Sequence, residues 1–202
     1  MEYLARYPLS SLEQDIIKKA RQYFFTMIEN NPDDEFWCDR FGLKNHLEQL
    51  QKWAIFALDN HEGMDSFVLF LSIWFHDIGH YPVDEEDHAI KWSTLTQKIL
   101  ESEWIAPDII EKVVHCVRSH RNRDVVPETS EAKMMACIDS ASHFTDPLMY
   151  MSILSVGKFD YLEGKIERDY RDVQWFPKIL SKITPFYETY KKIIAEHKQF
   201  TF

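Results

Sequence analysis

The sequence predicts a single all-helical domain, and three observations carry that reading. Glycine is scarce, with five in 202 residues, while Leu, Ile, Lys, Glu and Gln are plentiful. Apolar residues recur at helical spacing in one segment after another, and no stretch alternates convincingly as a strand would. Prolines, asparagines and Ser, Thr or Asp caps divide the chain at helical lengths. Hydrophobic residues make up 45% of the chain and aromatics 14%, enough for a full core and too many for a disordered segment.

The elements follow in order. Ser10 or Ser11 caps a first helix running to about Glu29, with Ile16, Ile17, Ala20, Phe24 and Ile28 on one face. The run Asn30-Asn31-Pro32-Asp33-Asp34 ends it. A second helix spans about Leu43 to Asp59, where Leu47, Leu50, Ala54 and Leu58 form a stripe beside His46. Asp65 or Ser66 starts a third, SFVLFLSIWFHD, apolar on every side and so expected at the centre of the core. Gly79 is a natural stop for it and Pro82 blocks continuation. Asp84 to Asp87 open a fourth helix reaching about Glu101. A fifth runs from about Pro107 to His120, with proline acceptable in its first turn. After the loop RNRDVVPET, Thr129 or Ser130 caps a sixth, SEAKMMACIDSASHF. One or two short helices and a long final one, from about Trp175 to His197, complete the chain.

Composition excludes some functions. The net charge of −10, from 23 basic and 33 acidic residues, disfavours nucleic acid as a partner, and no long basic run offsets it. A small anionic substrate remains admissible, because a bound metal reverses the local field. Cys38, Cys116 and Cys137 cannot all pair, form no CxxC motif and fit a reducing compartment. The N-terminus lacks the apolar stretch of a signal peptide. The most apolar run, Phe67 to Phe75, is about half the length needed to span a bilayer. The expected location is cytoplasmic, with no membrane partner.

Nine histidines are many for this length, and seven fall on or beside the second to sixth helices. The sharpest feature is His76-Asp77 at the end of the apolar helix. An ionisable pair there is costly unless it is neutralised or coordinated. A divalent cation does this, since imidazole and carboxylate both suit borderline first-row metals. The alternative is that the pair merely caps the helix end.

His46 opens HLEQLQKWA, the apolar helix delivers LSIWFHDIGH, and a later helix delivers EAKMMACIDSAS. A lone His, an adjacent His-Asp and a lone Asp, in that order, resemble the HD superfamily of metal-dependent phosphohydrolases. DHAIKWS and VVHCVRSH are similar to the middle of small bacterial members. The resemblance covers about Leu43 to Phe144. It implies one HD domain over 1–202, with a metal-binding core at about 43–144 and C-terminal helices at about 146–200 packed on it.

The resemblance implies that His46, His76, Asp77 and Asp139 hold a divalent metal ion (Mn, Fe, Co, Ni, Zn or Mg). A second ion, as in some relatives, would use His88 and His120. Asp77, His80 and His120 are the candidate catalytic groups. His80, His88 and Arg121 are the candidate substrate contacts. Many relatives carry Lys where this chain has His80, a departure. Arg118, Arg123 and Lys44 are further candidates for an anion. His115 and His120, five residues apart, point in different directions from one helix. His143, four residues after Asp139, is expected in the core or at the surface, with a place near the same pocket as the alternative, and His61 and His197 are expected to be exposed. Trp53, Trp74, Tyr81 and Trp92 are expected in the core. The implied reaction is hydrolysis of a phosphate ester of a nucleotide or small phosphorylated metabolite. A di-iron oxygenase and a non-catalytic regulatory module are the alternatives. The aromatic-rich C-terminal third either completes the pocket or offers a homodimer face.

Overall fold

The structure, a computed structural model, describes residues 2–30, 40–77 and 87–200, with backbone alone for 40–42. A 3-10 turn, Glu2–Arg6, leads into α1 (Ser11–Asn30), α2 (Arg40–Asn60), α3 (Ser66–Phe75), α4 (His88–Ser102) and α5 (Pro107–Ser119). Then come α6 (Ser130–Thr145), α7 (Met149–Ser155), α8 (Phe159–Val173) and α9 (Pro177–Gln199). No strand occurs among the described residues, and no described helix is long and apolar enough to cross a membrane. Gly79, His80, Tyr81, Pro82 and Cys38 lie outside the described residues.

The helix starts follow capping chemistry. Ser10 Oγ accepts the Glu13 amide at 3.2 Å while Glu13 Oε2 accepts the Ser10 amide at 2.7 Å, a reciprocal capping box. Asp65 accepts the amides of Phe67 and Val68 at the head of α3, Asp87 that of Ala89 in α4, and Thr129 that of Ala132 in α6. The Asp65 amide donates to Glu131 at 3.1 Å, which ties the starts of α3 and α6 together.

Two helices, not one, form the centre. All ten residues of α3 are buried, as its sequence predicts, and it packs on α1, α2, α4, α5 and α6. In α6 thirteen of sixteen residues are buried, and it packs on α2, α3, α5, α7, α8 and α9. Ala, Ser and Cys do not announce a core helix as Phe and Leu do. Their small side chains nonetheless let neighbouring backbones approach closely. The C-terminal region also differs from expectation, because α8 is fifteen residues long. Trp53, Trp74 and Trp92 are core residues as expected. Cys116 and Cys137 are buried, and burial pushes the Cys116 thiol up to about 12, so it packs as an inert apolar group.

Asp65→Ala should destabilise the fold by about 1–2 kcal/mol, since it removes a side-chain cap from a buried helix end. Urea unfolding would check this. A change within error would mean that packing alone fixes the start of α3.

Candidate metal centre

Helix ends and the two central helices bring six of the sequence-predicted residues together. His46 comes from α2, Asp139 from α6 and His88 from the first position of α4. His76 and His120 occupy the C-cap positions of α3 and α5. Asp77 follows His76. His46, His76 and His120 are buried, as are both aspartates, while His88 is partly exposed.

Asp77 lies between two pairs of rings. Its Oδ2 faces His46 Nε2 at 3.5 Å and His76 Nε2 at 3.3 Å. Its Oδ1 faces His88 Nε2 at 3.7 Å and His120 Nε2 at 3.6 Å. Asp139 Oδ1 adds a second carboxylate on the first side, 3.3 Å from His46 Nε2 and 3.6 Å from His76 Nε2.

The hydrogen bonds on the far side of three rings fix where their protons sit. His76 Nδ1 lies 2.9 Å from the Ile73 carbonyl, and His120 Nδ1 lies 2.7 Å from the Val117 carbonyl. A carbonyl only accepts, so both nitrogens donate. Each histidine thus folds back onto a carbonyl that the end of its helix leaves unpaired. His46 Nδ1 is 3.0 Å from Ser142 Oγ, whose own proton goes to the Asp139 carbonyl at 2.6 Å. His46 Nδ1 therefore donates as well. All three rings turn an Nε2 lone pair inward, as neutral imidazole ligands do.

That arrangement leaves lone pairs facing lone pairs. His46 Nε2 and His76 Nε2 are 3.4 Å apart, and Asp139 Oδ1 is buried without a hydrogen bond. Positive charge has to sit among them. Burial lowers the pKa of His46, but Asp139 and Asp77 outweigh it and raise it to about 9. For His76, burial acts the same way, and Asp77 and Asp139 raise its pKa to about 10. Protons can supply the charge, and so can a cation. Ligands bound at about 2.0–2.2 Å stand roughly 3.0–3.5 Å from one another around an ion, which fits the spacings of the first cluster. Burial and the charge of His76 lower the His120 pKa to about 4, so His120 stays neutral and able to coordinate. His46, His76 and Asp77 form one group with ligand atoms within 4.8 Å of one another, and His46, Asp139 and His143 form another. Asp77, His88 and His120 form a further group with ligand atoms within 4.8 Å of one another.

No family model, curated protein or solved structure matches the chain.

His143 is buried beside this cluster, the alternative place that its spacing from Asp139 allowed. Its ring stacks on His46 with centroids 5.2 Å apart, and its Nε2 is 3.7 Å from Asp139 Oδ1. Its Nδ1 lies 3.0 Å from Asp169 Oδ2 and 3.1 Å from Lys165 Nζ. Asp169 also accepts from Tyr150 at 2.7 Å and pairs with Lys165 at 3.1 Å. The spacing of four from Asp139 was the available signal for His143. Nothing local in the sequence marks Asp169.

Other candidates land elsewhere. Arg121 lines the cavity beside the cluster, but its Nη2 bonds both Asp87 oxygens at 2.8 and 2.6 Å. Arg118 pairs with Asp124, Lys44 is exposed, and His115 Nε2 accepts the Glu128 amide at 3.0 Å. His197 is exposed as expected, whereas His61 is half-buried against Phe176. The cluster opens on a cavity of about 710 Å³, whose far wall comes from α7 and α8.

Two predictions arise here. Ser142→Ala should weaken metal binding by about tenfold to a hundredfold by freeing the His46 ring, as read by chelator competition. Unchanged affinity would mean that packing alone orients the ring. The second concerns acid stability. Burial pushes the Asp169 carboxyl up, but Lys165, His143 and Tyr150 more than reverse this and hold it well below the usual carboxylate range. A depressed carboxyl stabilises the fold above its ordinary pKa, and that stabilisation fades as pH falls below about 4. Asp169→Asn should be less stable than wild type at pH 7 and lose less stability on acidification, measured by urea unfolding across pH. Parallel pH profiles would contradict it.

Proposed function

We propose that the chain is a metal-dependent phosphohydrolase of the HD superfamily, acting on a small phosphorylated substrate. The observation that carries this reading is the shared Asp77 carboxylate, with one oxygen toward His46 and His76 and the other toward His88 and His120, at the edge of a cavity. Asp139 completes the ordered set of His, His-Asp and Asp that the sequence resemblance rests on. His46, His76, Asp77 and Asp139 would hold one divalent ion, and Asp77, His88 and His120 a second.

When bound, such ions supply Lewis acidity toward a phosphoryl oxygen and make water a better nucleophile near neutral pH. The protein's own groups do the rest. Ser142 and the Ile73 and Val117 carbonyls orient the rings. His143, held between Asp169 and Lys165 on one side and 3.7 Å from Asp139 Oδ1 on the other, lines the cavity and would serve proton transfer there. His120 suits the ligand role, because its Nδ1 donates to the Val117 carbonyl and its Nε2 turns toward Asp77 Oδ1. His80, the other candidate acid, lies outside the described residues.

A second reading is a di-iron oxygenase, and the two extra histidines on Asp77 Oδ1 favour it. One experiment separates the two. Metal content is measured on protein purified without added metal, wild type beside Asp77→Ala, with a phosphate-release screen over nucleotides and sugar phosphates. Bound transition metal in wild type, lost in Asp77→Ala together with phosphate release, is the expected result. Two equivalents of iron with oxygen uptake and no phosphate release would favour the oxygenase. No metal in either protein after reconstitution would overturn both.

A further inference from the structure

The cavity has a wall that metal binding does not explain. Its carboxylates are all engaged. Asp77 and Asp139 face the imidazoles, and Asp169 is held by His143, Tyr150 and Lys165. Asp172 accepts from Asn122 at 2.8 Å and from Arg171 at 3.0 Å. Its cations are not all engaged. Arg123, Lys158 and Arg168 line the same cavity, and none has a side-chain hydrogen bond or ion pair with another described residue. In a chain of net charge −10, this is a local positive excess facing a concave space.

Arg168 is the best defined of the three. It is partly buried on α8, and its Nη1 lies 3.4 Å from where a Cβ on Gly164 would stand, one helical turn earlier. Glycine inside a helix costs about 1 kcal/mol relative to alanine. A Cβ at Gly164 would stand in ordinary van der Waals contact with the guanidinium, so the two residues are neighbours on one face of α8. A planar fork with unused donors suits a phosphate or carboxylate. Beside these charges the wall is apolar. Met149 is buried, while Val156 and Tyr161 line the cavity with 65% and 56% of their surface exposed. The volume, about 710 Å³, is in the range of pockets that enclose nucleotide-sized ligands.

We propose that the α7–α8 wall selects a substrate with two oxyanion groups. One is the phosphate presented to the metal centre. The other, a second phosphate or a carboxylate, is held by Arg168 with Lys158 and Arg123. An apolar or aromatic body joins them, lying over Met149 and Tyr161. This rests on the phosphohydrolase reading of the centre and adds the substrate's charge pattern to it.

The test uses matched pairs on the metal-loaded full chain. Adenosine 5′-monophosphate is compared with adenosine 3′,5′-bisphosphate, and glycerol 3-phosphate with 3-phosphoglycerate. Binding is measured by calorimetry and phosphate release separately, in wild type and in Arg168→Gln, with thermal unfolding to confirm that the variant folds. In wild type the doubly anionic member of at least one pair should bind tenfold or more tighter. Preference in the nucleotide pair identifies a phosphate as the second group, and preference in the glycerate pair a carboxylate. Arg168→Gln should abolish that gap, raising KM for the compound with two oxyanion groups with kcat within about twofold, and shift the compound with one by less than about twofold. Equal binding within both pairs, a gap that survives Arg168→Gln, or no binding of any compound would overturn the proposal. Phosphate release with no such preference would sink this inference and leave the hydrolase reading standing. Arg168-dependent binding without phosphate release would do the reverse.

Discussion

Two carboxylates, Asp77 and Asp139, are buried among five imidazole rings in the interior of a helical protein, and the placement of the surrounding helices answers to that constraint. An unpaired buried charge costs several kcal/mol even after relaxation. A domain's whole stability is about 5–15 kcal/mol. Two such groups without compensation would consume much of it. The rings that compensate them come from α2, α4, α6 and the ends of α3 and α5, so no single segment could supply the environment. The buried apolar surface of α3 provides the stability against which this polar cluster is set.

The central position of α6 follows from the same demand. It carries Asp139, Ser142 and His143 on consecutive turns, and these serve as carboxylate, ring-orienting hydroxyl and cavity-facing imidazole. Ala136, Cys137 and Ala141 are buried within it, and α2, α3 and α8 pack against it. One helix thus links the buried cluster to the wetter side, where Asp169 and Lys165 of α8 take over the charge balance.

Much of this was legible in the sequence. The uninterrupted apolar run of α3 announced a core helix, and caps at Ser10, Asp65, Asp87 and Thr129 fell where local chemistry put them. His46, His76, Asp77 and Asp139 were legible as an ordered set of residues able to share a cation. His88 and His120 were singled out only by the resemblance, as histidines lying between the His-Asp pair and the final Asp. What could not be read depends on contacts across long stretches of chain. Asp169 is an ordinary polar residue of α8 until α8 packs on α6. Arg121 looked free until α4 and α5 brought it onto Asp87. The central role of α6 was hidden because small residues carry little hydrophobic signal, although their lack of bulk is what suits them to the centre.

His76 and His120 are steered by main-chain carbonyls, and this changes what a mutation can reach. A ring oriented by a neighbouring side chain can lose its partner through one codon change. Ile73 and Val117 can be replaced by other residues without removing the oxygen each histidine needs, provided the helix still ends in the same place. The aim of these two rings is therefore inherited with the secondary structure. Sequence drift at positions 73 and 117 is buffered, and the vulnerable features become the length of α3 and the length of α5. Insertions or deletions in these helices, more than substitutions beside the rings, would be the events that dismantle the centre.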